Sequence, residues 1–85
     1  MRDVTGSEFE EVVLGSATPI AVDFWAPWCR PCKAVESILE ELPVDVARVN
    51  VDEEPAIASR YEVLSIPTVI LFAGGAVAPQ GAVAP

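Results

Sequence analysis

The sequence predicts an α/β domain, and three observations carry that prediction. An apolar run from Ile20 to Ala26 breaks at Pro27, and four to eight apolar residues between breakers read as a buried strand. Helical spacing follows, with Val35, Ile38, Leu39 and Leu42 on one side and Glu36, Glu40 and Glu41 on the other. Val44 to Val51 then alternates, Val44/Val46 against Asp45/Ala47 and Val49/Val51 against Arg48/Asn50. A strand–helix–strand unit of this kind implies parallel pairing with a right-handed crossover.

The remaining elements follow in order. Asp3 to Thr5 is short enough only for an edge strand. Ser7 and Glu10 have the spacing of a capping box, with Phe9, Val12 and Val13 sharing one helical face and Gly15 as the stop. This helix is expected to cover one face of the sheet. Pro43 is the expected end of the second helix. Asp52-Glu53-Glu54-Pro55 reads as a turn, and Pro55 suits the first position of a short helix reaching Tyr61. Thr68 to Phe72 is a compact apolar strand ended by Gly74-Gly75, with a hairpin to a final short strand around Ala76 to Ala78.

At 85 residues the chain has room for one core. With 13 acidic and 5 basic residues its net charge is −8, which argues against nucleic acid or an anionic membrane as partner. Hydrophobic residues make up 52% of the chain, enough to fill a core despite the acidity. Met1 to Glu11 has no basic-then-apolar pattern, and no apolar run approaches a membrane span. The expected location is the cytoplasm, where a cysteine pair is more often catalytic than structural.

The chemistry is concentrated in Trp28-Cys29-Arg30-Pro31-Cys32-Lys33. Pro31 fits the first turn of a helix, placing Cys29 at or just before its start. Free N–H groups and the helix dipole there favour a thiolate, the attacking species in disulfide exchange. Arg30 and Lys33 add positive charge. Cys32, one turn inside, is close enough to close a small disulfide ring. The pair is half of a zinc site, but the chain has no further Cys and no His to complete one. So small a loop also contributes little as a structural disulfide. A reactive redox pair is the reading that remains. Asp23 shares a strand face with Ala21 and Trp25, so its carboxyl should be costly to ionise and titrate toward neutrality.

These residues resemble the thioredoxin family. The resemblance rests on Val22-Asp23-Phe24-Trp25-Ala26, the Trp28–Lys33 motif, Val49-Asn50-Val51-Asp52 and Ser65-Ile66-Pro67-Thr68, and it covers roughly Asp3 to Ala78. It implies a thioredoxin-like fold, a central mixed sheet flanked by helices. It also implies roles: Cys29 as nucleophile, Cys32 as resolving thiol, and Asp23 as the buried carboxylate behind Cys32. Trp28 would contact substrate, together with Ile66 and a cis Pro67 facing the dithiol; Trp25 is expected to pack. Arg30, Pro31, Lys33 and Arg48 would modulate the site, Arg48 as a basic residue near the carboxylate.

Two departures stand out. Arg30 replaces the family's usual Gly after the nucleophile, which should favour thiolate and raise the reduction potential. The family's C-terminal helix is lacking, and Ala76 to Pro85 is a small-residue repeat with two prolines. Residues 1–78 are expected to form the domain and 79–85 an Ala/Pro/Gly-rich tail. Without that helix, the strands Val44–Val51 and Thr68–Phe72 would be left partly uncovered, favouring self-association in a chain of mean hydropathy +0.41. The implied activity is reduction of protein disulfides, with no bound cofactor or metal. The expected partners are disulfide substrates and an NADPH-dependent flavin reductase. A glutaredoxin-like enzyme, a dithiol oxidant and a non-cycling interaction module are the competing readings.

Overall fold

The computed structural model describes residues 1–82. Its centre is a sheet of β1 (Arg2–Asp3), β2 (Ile20–Trp25), β3 (Asp45–Asn50), β4 (Thr68–Ala73) and β5 (Ala76–Ala82). The spatial order is β1-β3-β2-β4-β5. β1 and β2 run parallel to β3, whereas β4 runs antiparallel to both β2 and β5. The expected mixed sheet is present, with a parallel β2–β3 crossover through α2 (Arg30–Leu39). The other helices are α1 (Gly6–Phe9), which continues as a π-helical turn over Glu10–Leu14, and α3 (Pro55–Arg60).

Both faces of the sheet carry packed helices, which is why β2 is apolar apart from Asp23. On one face Val22, Phe24, Val49 and Phe72 pack against Phe9 and Val13 of the first helix and Ile57 of α3. Phe9, Tyr61 and Phe72 form an aromatic group with centroids 5.1–5.8 Å apart. On the other face Ala21, Val46 and Val69 meet Leu39 and Val35 of α2.

Several boundaries differ from expectation. The first helix is capped two residues earlier than Ser7: Thr5 donates its N–H to the Glu8 carboxylate at 3.1 Å. Both pairs fit the capping pattern, but Val4 still donates to the Arg48 carbonyl at 2.8 Å, so the chain leaves β1 in time for Thr5 to cap. β3 keeps a single alternation, with Val46 and Arg48 toward α2 and Ala47 and Val49 toward the other core. The phase change expected after Ala47 does not occur, because Ala47 is itself core.

α2 stops at Leu39, before Pro43, and its inward face differs from the expected one. Ile38 and Leu42 are 62% and 44% exposed, while Glu36, expected outward, is half-buried. Cys32, Glu36 and Leu39 at intervals of four and three define the inward stripe, and Ile38 falls beside it. On this side Val46 and Val69 are buried and Val44 and Leu71 partly buried, while Ile38 and Leu42, on and just after α2, are exposed.

The β4–β5 hairpin turns at Gly74 and Gly75, with φ of +62° and +84°. Positive φ at both central residues suits the two-residue turn that joins twisted strands. β5 continues past the expected Ala78 to Ala82. Among the described residues no helix follows it. Residues 83–85 of the expected tail lie outside the described residues.

Candidate active site

The end of β2 delivers the chain into the dithiol turn. Cys29 donates its N–H to the Ala26 carbonyl at 3.0 Å, closing the turn over Pro27 and Trp28. Cys29 is the N-cap of α2, and its Sγ accepts the backbone N–H of Cys32 at 3.3 Å. A sulfur that already receives a helix N-terminal N–H is placed to be stabilised as thiolate. The two cysteines are joined as a disulfide, with Cα atoms 5.4 Å apart. Both are buried, Cys32 the more deeply at 1% exposure against 4%.

Pro31 lies in the first turn of α2, while Arg30 and Lys33 are exposed beside the pair. Ile66, Trp25 and Val51 pack against the dithiol cluster. The Ile66–Pro67 bond is cis, and Pro67 is buried. Trp28 is 68% exposed and donates its indole N–H to the Asp52 carboxylate at 2.9 Å. The dithiol cluster and the segment entering β4 thus lie together.

Asp23 is fully buried in the middle of β2, in register with Arg48 of β3 and Val69 of β4. Neither carboxyl oxygen has a hydrogen-bond partner among the described residues. Loss of hydration pushes its pKa up to about 6; the charge of Glu36 adds to the rise and that of Arg48 opposes it. Arg48 is on the carboxylate's side of the sheet, but its ion pairs go elsewhere. Its guanidinium is 3.5 Å from Asp3 and 3.7 Å from Glu36, and stacks 3.9 Å from the Trp25 ring centroid.

Known proteins share this arrangement in sequence. The thioredoxin family model matches residues 1–84. Thioredoxin 1 of Nostoc sp. is 46% identical over 78 residues, 85% of this chain and 73% of that protein. Thioredoxin of Rickettsia bellii is 48% identical over 79 residues, covering 86% and 75%. The chloroplastic thioredoxin M-type of Spinacia oleracea is 44% identical over 81 residues; these span 88% of this chain but 45% of the relative. The chain belongs to the thioredoxin family.

As a thioredoxin-family member with its cysteine pair at disulfide distance, it is a dithiol/disulfide oxidoreductase. Its kinship to named thioredoxins supports protein-disulfide reductase activity. Two residues beside this thioredoxin-type site, Glu36 and Asp52, were given no site role from the sequence. Glu36 is one turn beyond Cys32, a spacing of four that places both on one helix face. Asp52 sits in a turn where the Asn50 side chain accepts the N–H groups of Asp52 and Glu53 at 2.9 and 3.4 Å. An Asn two residues before an Asp is the available signal for that turn, but not for its indole partner.

Proposed function

We propose that this protein reduces protein disulfides with Cys29 as nucleophile and Cys32 as resolving thiol. The observation that carries the assignment of roles is the Cys32 N–H aimed at Cys29 Sγ from the start of α2. In the reduced protein, the Cys29 thiolate attacks one sulfur of the substrate disulfide and expels the other as a thiolate. Asp23 takes the proton of the Cys32 thiol. Cys32 Sγ then attacks Cys29 Sγ, releasing the second substrate sulfur and closing the Cys29–Cys32 disulfide. Two electrons pass to the substrate, and the protons that complete its two thiols come from Cys32 and from solvent.

Trp28 and Ile66 offer an apolar seat for the substrate, with the backbone before Pro67 beside it. Arg30 and Lys33 favour the thiolate, Pro31 stiffens the first turn of α2, and Arg48 acts on the charge of Asp23. An NADPH-dependent flavin reductase returns the disulfide to the dithiol, so the protein works as an electron carrier in a reducing compartment such as the cytoplasm. Self-association through the partly covered sheet face is part of this reading, supported by the partial burial of Val44 and Leu71 there. The test of the function is insulin disulfide reduction, recharged by dithiothreitol or by thioredoxin reductase with NADPH. Turnover with both is expected; a chain inert with dithiothreitol overturns the assignment.

A further inference from the structure

One guanidinium serves three carboxylates on the α2 side of the sheet. Arg48 is pinned between Asp3 of β1 and Glu36 of α2, with its plane on Trp25. Asp23, the third carboxyl, stands in register with Arg48 yet receives no hydrogen bond from the described residues. The charged groups acting on Asp23 are Glu36 from α2 and Arg48 from β3, while its β4 neighbour is Val69. Glu36 is therefore stationed between the resolving cysteine, one helical turn before it, and the only cation acting on Asp23 among the described residues.

We propose that Glu36 is a positioning residue for Asp23: it draws the Arg48 guanidinium into an ion pair and sets a second negative charge near the buried carboxyl, making Asp23 a stronger base for the Cys32 proton. This rests on the roles given above to Asp23 and Cys32. Three carboxylates and one cation cannot all stay charged at equal cost. Protonation falls on the one that is fully buried and has no donor among the described residues, and that is Asp23. A base whose pKa lies nearer to that of the thiol accepts its proton more readily. Removing the Glu36 charge frees Arg48 to face Asp23 and weakens that base.

Glu36→Gln keeps the shape of the side chain and removes its charge; Glu36→Asp keeps the charge. In the oxidised chain, the Asp23 carboxyl carbon is followed against pH by NMR, assigned by its loss in Asp23→Asn. Glu36→Gln is expected to lower the Asp23 midpoint by roughly 0.5 pH unit or more, with Glu36→Asp close to the unaltered protein. The acid limb of insulin reduction should move down with it, and the plateau should fall about two- to threefold. An unmoved midpoint in Glu36→Gln, or equal movement in both variants, overturns the proposal. The titration needs no turnover, so it decides the part played by Glu36 even if the reductase assay fails.

Discussion

Trp28 and Asp52 are 24 positions apart and joined by an indole N–H to carboxylate hydrogen bond of 2.9 Å. The ring is 68% exposed, so packing does little to hold it. The bond sets its orientation over the dithiol turn, and the Asn50-centred turn sets Asp52. In the substrate-binding role proposed for Trp28, an aromatic kept at the surface in one orientation would receive a substrate chain without further ordering cost.

Asp52→Ala is accordingly expected to raise KM for insulin by about two- to fivefold, the worth of roughly 1 kcal/mol for a solvent-exposed hydrogen bond. Reduction of a small aromatic disulfide, which does not need the ring, should be unchanged. Equal losses on both substrates would show that Asp52 acts on the cysteines instead.

Cys29→Ser should abolish reduction. Cys32→Ser should leave a mixed disulfide between Cys29 and the substrate, visible by mass spectrometry under non-reducing conditions. Trapping through Cys32 in the first variant, with none in the second, would reverse the roles.

Arg30 is exposed at the first position of α2, next to the N-cap cysteine. Arg30→Gly removes a cation that favours the thiolate and so the reduced form. The couple should become more reducing by on the order of 10–30 mV, where 30 mV corresponds to about 1.4 kcal/mol for two electrons. Titration against dithiothreitol reads the change, and an equal or higher potential would contradict it.

Asp23 gives the folded state its own pH dependence. Its pKa is about 6 when folded, against an ordinary 3.8. Between those values the folded chain binds more protons than the unfolded one, so stability falls as pH rises through the window. The loss is complete above the folded pKa and amounts to roughly 3 kcal/mol. Asp23→Ala should therefore flatten the pH dependence. It should stabilise the chain at neutral pH by ~1–2 kcal/mol once the small cavity is allowed for, and give no gain near pH 4. Urea unfolding at several pH values checks this; a destabilised variant at pH 7 would mean that the carboxylate is held by bonds.

Much of this site was legible before folding because its signals are local. Pro27 and Pro31 mark the turn and the first helical residues, and that alone puts Cys29 at a helix start. The period of two in β2 places Asp23 on a face with Ala21 and Trp25, and an acid inside an apolar run predicts a raised pKa. Gly74-Gly75 specifies its hairpin turn in the same way, through the torsions only glycine adopts readily. The tertiary structure alone decided which partners those side chains meet. Whether Thr5 or Ser7 caps the first helix depended on how far β1 pairs with β3, and the phase of Ala47 and Arg48 depended on both faces of that strand being covered. The turning of Glu36 toward the sheet, the sharing of Arg48 between Asp3 and Glu36, and the capture of Trp28 by Asp52 each join residues from different elements. Torsional preference and periodicity act over a few residues. Contacts of this kind are fixed by strand register and helix placement, which exist only once the whole core has packed.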